Sequence, residues 1–227
     1  VSAKGTMINN TLINMSDANS LYGIYVITAN DTIINNITIN INYTGIAVAG
    51  GIYTISNNTN IDCVGGSIIG NGNETGNGIY LRANYATIKN CLINGIGRSV
   101  YFNAANYGIV NNVTGYSYRT GYQGLAIVGS YVNVTNSSFL ANGSYGVQLS
   151  TGTGSYLNNV DASSIASVGM YLSGYNNTII DGVRAYSSNS YGFRTSTSYY
   201  NSINNLNTSD LVGYSTGFTL GLLRDTG

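Results

Sequence analysis

The sequence predicts an all-β solenoid, a chain wound into coils whose short strands stack as parallel sheets. Three observations lead there. One residue position returns every 22 to 27 residues along the chain. A short strand with period-2 alternation opens each coil, usually after a glycine. The composition fits as well, with 30 Gly, no Pro and no convincing 3.6-residue patterning. Self-similarity at a period of roughly 20–50 residues marks a repeat architecture. A chain without Pro suits uninterrupted ladders, because Pro has no N–H to donate.

The recurring position holds Asn10, Asn36, Cys63, Asn90, Asn112, Asn136, Asn159, Gly182 and Asn205. Two residues before it stands an aliphatic side chain: Ile8, Ile34, Ile61, Ile88, Val110, Val134, Leu157, Ile180 or Ile203. The residue after it is mostly apolar, as in Ile37, Cys91, Val113, Val160 and Leu206. Asn and Gly both tolerate the left-handed backbone of a sharp turn, so the column reads as one bend repeated in every coil. Stacked Asn amides can also bond to one another along such a column.

The opening strands run from Gly23-Ile-Tyr-Val and Gly51-Ile-Tyr-Thr through Gly146-Val-Gln-Leu and Gly169-Met-Tyr-Leu to Gly217-Phe-Thr-Leu. Alternation makes each a half-buried strand. Ile24, Val26, Ile79, Leu81, Val100, Phe102, Leu125, Ile127, Val147, Leu149, Met170 and Leu172 point inward. Tyr25, Tyr53, Tyr80, Tyr101 and Tyr171 form an outward aromatic face. Each coil then holds three short strands: one after the Gly, one ending at the bend and one beginning after it. About nine coils at ~4.8 Å give a rod on the order of 40 Å long. This is a parallel β-helix, one domain over residues 1–227, with longer connections near 40–50 and 64–77 and a smaller excursion at Thr151–Ser155.

Asn60-Ile-Asp-Cys63, Gly65-Gly66-Ser-Ile-Ile-Gly, Gly78-Ile-Tyr-Leu81 and Ala86-Thr-Ile-Lys-Asn-Cys91 resemble the repeats of pectate-lyase-like right-handed parallel β-helix proteins. They are most similar to the form found in archaeal cell-surface proteins, including the surface-layer and sheath proteins of methanogens. The resemblance covers residues 5–220 and implies a right-handed coil. One scaffold of this kind hosts lyases, hydrolases, tailspikes and envelope proteins, so it implies no single activity.

Charged residues are 7% of the chain and the formal net charge is zero, which argues against nucleic-acid binding, since that needs a basic stripe. No run of 18 apolar residues exists, so no apolar helix spans a membrane. Val1 is no start Met; an exported chain would have shed its targeting segment already. Coil-to-coil spacing places the Cα atoms of Cys63 and Cys91 roughly 6 Å apart, within disulfide range, and two buried thiols are the rival. A disulfide would point to an oxidising, extracytoplasmic setting. With two Cys and no His, zinc is not expected, and no cofactor is implied.

Asp62 with Lys89, and Asp161 with Arg184, stand at matching positions of neighbouring coils and should pair. Polysaccharide-active β-helices gather several carboxylates with an Arg or Lys. Here no outward column holds two adjacent acids, and Asp181 lies between Asn158 and Asn204. No catalytic residue is therefore assigned. The tyrosine face could stack on sugar rings or pack sideways on a neighbour. Among many Asn-x-Ser/Thr triplets, Asn30, Asn73, Asn142 and Asn176 are expected in loops as glycan acceptors. Asn36, Asn112 and Asn136 are expected to be buried in the column.

No polar cap or covering helix is evident at either end, and solenoids usually finish with one. Met7, Ile8 and Leu12 at one end, and Phe218, Leu220, Leu222 and Leu223 in a last opening strand at the other, are expected to meet between copies. An end-to-end contact of that kind builds filaments or rings. A section of a longer β-helix is the rival. The reading is an extracellular structural protein that is its own partner, in a surface layer, sheath or fibre, with glycans as a further partner. The alternatives are a polysaccharide lyase or hydrolase and a carbohydrate-binding adhesin.

Overall fold

Residues with left-handed backbone set the path of the chain. In the computed structural model, which describes residues 5–16, 22–42, 49–72, 75–208, 211–214, 219–220 and 223–225, Asn10, Asn36, Asn90, Asn112, Asn136, Asn159 and Asn205 have φ between 47° and 55°, and Gly182 has φ 61°. Each bend joins two arms of one 16-stranded sheet. In Met7–Met15, Ile33–Ile41, Asn133–Gly143 and Tyr156–Ser164 the strand runs through the bend unbroken. Elsewhere it divides, as in Thr87–Lys89 and Leu92–Ile96. The opening strands make a second sheet of nine: Tyr22–Val26, Gly50–Thr54, Asn77–Leu81, Arg98–Asn103, Leu125–Val128, Val147–Thr153, Met170–Asn176, Phe193–Ser196 and Leu211–Tyr214.

Pairing is parallel and keeps like residues in register. Ile34, Ile61, Ile88, Val110, Val134, Leu157, Ile180 and Ile203 follow one another coil by coil. All are at most 1% exposed. The inward residues of the opening strands, from Ile24 and Val26 to Met170 and Leu172, are buried as expected. The described chain has no helix, and its core is the aliphatic filling of one continuous parallel β-helix.

Five expectations change. Asn36, Asn112 and Asn136 are exposed, because a left-handed residue at a convex corner turns its side chain outward while its neighbours fill the interior. Cys63 is not at the bend. Two extra residues, Cys63 and Val64, lengthen that coil, and Gly65, with no Cβ to clash, takes the left-handed position with φ 78°, leaving Cys63 fully buried. Segment 64–77 is no simple loop, since Ser67–Ile69 pairs with Ile39–Asn40 and Leu92–Asn94. Thr151–Ser155 is a corner: Val147–Thr153 is one strand, turned at Thr151 with φ 54°.

The last change is at the end of the chain. The final opening strand is Leu211–Tyr214, paired with Phe193–Ser196, and Gly217 lies outside the described residues. Thr219–Leu220 and Leu223–Asp225 pair with the arms Ser202–Asn204 and Leu206–Thr208. The coil is shorter than those before it, because Leu211-Val-Gly-Tyr follows the arm after only two residues. Phe218 and Leu222 lie outside the described residues, as does Asn73.

The bend predicts its own mutants. Asn112→Gly keeps the left-handed turn and loses only the amide, whereas Asn112→Ala must hold a Cβ there at about 1–2 kcal/mol. Urea midpoints should fall in the order wild type, Gly, Ala, with Ala clearly lowest.

Candidate functional site

The outer surface carries columns of like side chains, and the bend column is bonded through them. Asn36 Nδ2 donates to Asn10 Oδ1 at 2.7 Å, Asn112 to Asn90 at 2.8 Å and Asn159 to Asn136 at 2.9 Å. Where the column holds Cys63 or Gly182, the preceding residue is an aspartate, and it accepts instead. Asn90 Nδ2 donates to Asp62 Oδ1 at 2.9 Å and Asn205 Nδ2 to Asp181 Oδ1 at 2.8 Å.

Every carboxylate whose side chain is described is held in such a bond. Asp31 accepts from Asn58. Lys89 lies 3.1 Å from Asp62 and Arg184 2.9 Å from Asp161, the two pairs that the spacing predicts. Burial acts to raise the Asp62 pKa, but hydrogen bonds from Asn90, Lys89 and the Val64 N–H, with the Lys89 charge, leave it lowered. Asp181 pairs in register with Asn158 and Asn204, so no second acid stands beside it there. Among the described residues no cluster of three metal-ligating side chains exists.

Cys63 and Cys91 form a disulfide with Cα atoms 4.7 Å apart, linking two neighbouring coils inside the core. Reduction should lower stability by ~2–4 kcal/mol, the usual range for such a bridge, read as a shift in urea midpoint with and without dithiothreitol.

The predicted tyrosine face exists. Tyr25 stacks on Tyr53 with centroids 4.7 Å apart, Tyr53 and Tyr80 follow at 4.9 Å and Tyr80 and Tyr101 at 5.2 Å in tilted pairs, and Tyr171 packs on Tyr145. Arg98 lies over Tyr101 at 4.7 Å and Arg194 over Tyr171 at 5.4 Å. Asn103 Nδ2 donates to the Tyr80 hydroxyl. Only Tyr25 of the five is exposed; the others are half-covered by one another and by these neighbours.

A second corner escaped the sequence reading. Gly5, Asp31, Asn58, Tyr85, Tyr107, Tyr131, Gly154, Asn177 and Tyr200 all have φ between 52° and 73°. The N–H groups of the first eight bond to the coil above, as Tyr85 N–H does to Asn106 O at 2.9 Å and Tyr107 N–H to Ser130 O at 3.0 Å. The preceding side chains form another ladder: Asn30 Oδ1 accepts from Asn57 N–H, Asn57 from Asn84, Asn84 from Asn106 and Asn106 from Ser130. Two glycan candidates belong here rather than in free loops. Asn30 is engaged as described, and Asn176, half-buried at the end of a strand, accepts from Tyr199 N–H at 2.7 Å. Asn142 is exposed and donates to Tyr118 O. Tyrosine in left-handed backbone is an outlier costing of order 1–3 kcal/mol. The rings of Tyr85, Tyr107 and Tyr131 lie 5.0 Å apart and within 8° of parallel.

Two further features stand out. A cleft of about 380 Å³ is lined by Gly70, Asn71, Gly72, Asn94, Gly95 and Tyr118, and the buried Asn94 Oδ1 has no hydrogen-bond partner in the protein. Inside the rod, Tyr175 is fully buried and ends a polar chain. Val132 N–H donates to Ser155 Oγ at 3.0 Å, Ser155 bonds the Tyr175 hydroxyl at 2.6 Å, and that hydroxyl donates to Gly129 O at 2.6 Å. Gly152 makes this possible, since a Cβ there would lie 2.5 Å from the ring.

Burial pushes the Tyr175 pKa up to about 12, against a smaller lowering from the Ser155 bond. The folded state thus holds this proton more tightly than the unfolded chain, so the contribution is complete below pH 10 and is lost as pH rises from about 10 to 12. Tyr175→Phe should cost about 1–3 kcal/mol by stranding Gly129 O and should flatten that alkaline limb of the stability profile.

No protein-family model and no curated protein matches the chain. Among solved structures, the mannuronan C-5 epimerase AlgE4 A-module of Azotobacter vinelandii aligns over 99% of this chain and 90% of its own, at 13% identity and TM-score 0.40. The AlgE6 A-module of the same organism aligns over 94% and 79%, at 10% identity and TM-score 0.34. The pentapeptide repeat protein HetL of Nostoc sp. strain PCC 7120 aligns over 89% and 87%, at 9% identity and TM-score 0.20. These likenesses concern the path of the chain and assign no residue a role.

Proposed function

We propose that this chain is an extracellular structural protein whose rods stack end to end into a surface layer, sheath or fibre. One observation carries the reading: both extremities of the 16-stranded sheet offer the same two arms in the same columns. Met7–Met15 pairs only with Ile33–Ile41, and Thr219–Leu220 and Leu223–Asp225 pair only with the coil before them, among the described residues. Ile8 and Leu220 belong to one column and Leu12 and Arg224 to another. An unpaired parallel edge is a template for a further strand, and the first strands of a second copy continue the register.

Other features agree. Met7 is 59% and Leu12 62% exposed on the first arm, a cost unless covered. The described carboxylates bond along the rod instead of gathering in a cleft. The Cys63–Cys91 disulfide fits an oxidising compartment. The surface-layer setting itself rests on the likeness of the repeats to archaeal envelope proteins.

Negative-stain electron microscopy of the purified, disulfide-bonded chain should show filaments. Met7→Lys with Leu12→Lys, which puts charge on the edge, should reduce them to short rods with unchanged circular dichroism. Short rods from the parent protein at high concentration would refute the reading.

A second reading, a carbohydrate-binding module, is favoured by the cleft at Asn94, whose buried oxygen calls for a hydroxyl donor beside the Tyr118 ring. Neutral oligosaccharides should then perturb Tyr118 fluorescence or its NMR signals, and Asn94→Ala should abolish the effect.

A further inference from the structure

The strip of Tyr85, Tyr107 and Tyr131 is not explained by the stability of the coil. Its backbone is left-handed, and apart from the coil of Tyr200 the others fill the same corner with Gly5, Asp31, Asn58, Gly154 and Asn177, residues that adopt this conformation more readily. The main-chain bonds of the corner are made whatever the side chain, by Tyr85 N–H to Asn106 O, Tyr107 N–H to Ser130 O and Tyr131 N–H to Thr153 O. Stacking returns part of the strain, yet the three residues stay 55%, 47% and 46% exposed. Backbone strain kept at the surface in three successive coils marks a function of the side chains themselves.

We propose that this strip is a lateral docking surface for a second copy of the chain, which sets rods side by side in register. The proposal deepens the structural reading and rests on it, but uses none of the residues at the rod ends. Three features select an identical copy as the occupant. The rings repeat at 5.0 Å and are parallel within 8°, a spacing set by the coil itself, so another solenoid of the same pitch can meet them ring for ring. A two-fold axis through Tyr107 brings Tyr85 of one strip against Tyr131 of the other, the self-complementary arrangement of an isologous contact.

The third feature is charge. The sequence neighbours of the three tyrosines, from Asn84 and Ala86 to Ser130 and Val132, carry no ionisable group, and Ile109 among them is itself exposed. The formal net charge of the chain is zero, so identical copies approach without mutual repulsion. Tyrosine suits such a contact because a rigid ring buries much area for little entropy and keeps a hydroxyl for the rim.

Sedimentation velocity over a concentration series tests this on the full chain carrying the end-blocking pair Met7→Lys and Leu12→Lys, so that end-to-end growth does not contribute. That protein should form a dimer. Adding Tyr85→Asn, Tyr107→Asn and Tyr131→Asn should weaken the dimer by at least about tenfold, while the thermal midpoint holds or rises, because Asn suits the left-handed corner. Tyr107→Asp, a residue the same corner accepts at Asp31, should give the same loss. An end-blocked protein that stays monomeric throughout, or a dimer indifferent to both sets of substitutions, would overturn the proposal. So would a lower thermal midpoint of the triple variant with its dimer intact, which would make the rings a stabilising device. A parent protein, without the end-blocking pair, that makes lateral dimers but no filaments would instead count against end-to-end stacking alone.

Discussion

The fold depends on one backbone constraint, a left-handed residue at the same place in every coil. It turns the chain sharply enough for both arms to lie in one sheet, and it does so in nearly every coil with Asn, which can hold φ near 50° and still offer an amide to the next coil. The rest follows from that repetition. A fixed corner fixes the register, the register puts Ile over Ile in the core, and outside it puts amide over amide and ring over ring. Where the amide is missing, at Cys63 and Gly182, an aspartate one residue earlier accepts the bond from the next Asn. The chain thus keeps a link to the following coil where it gives up the residue.

The same constraint explains why the surface holds so little conventional chemistry. In a parallel stack every outward side chain has a near-equivalent neighbour above and below. Acids are therefore taken up by a lysine, an arginine or an amide of the adjacent coil, as Asp62, Asp161 and Asp181 are. The cross-coil ion pairs lie at the surface and contribute only about 0–1 kcal/mol each. Their larger effect is on register, since a slip by one residue would place each partner on the opposite face. Polar groups sent inward can be linked in the same way, as the chain from Val132 through Ser155 and Tyr175 to Gly129 shows.

Much of this was legible in the sequence because the signal and the physics coincide. Asn and Gly at fixed spacing mean a left-handed bend, aliphatic residues two before it mean a core column, and Cys63, Cys91, Asp62 and Lys89 fell into place once the coils were aligned. What escaped was hidden for physical reasons. The second corner holds Gly, Asp, Asn and Tyr in turn, so no residue type announces it, and Tyr85 contradicts the propensity that would reveal a left-handed site. The exposure of Asn36 and Asn112 turns on which side of the corner the Cα–Cβ bond leaves, which the spacing does not contain. Gly65 displaced the bend from Cys63 through two added residues. At the last coil, Leu211-Val-Gly-Tyr and Gly217-Phe-Thr-Leu alternate equally well, and pairing in three dimensions chose the nearer.

X-ray diffraction from an oriented concentrated sample bears most directly on the continuous column of coils. The account predicts a sharp reflection near ~4.8 Å along the long axis of the particles, together with a long spacing along the same axis equal to one chain's length of stacked coils. A 4.8 Å reflection lying across that axis, or none at all, would contradict it.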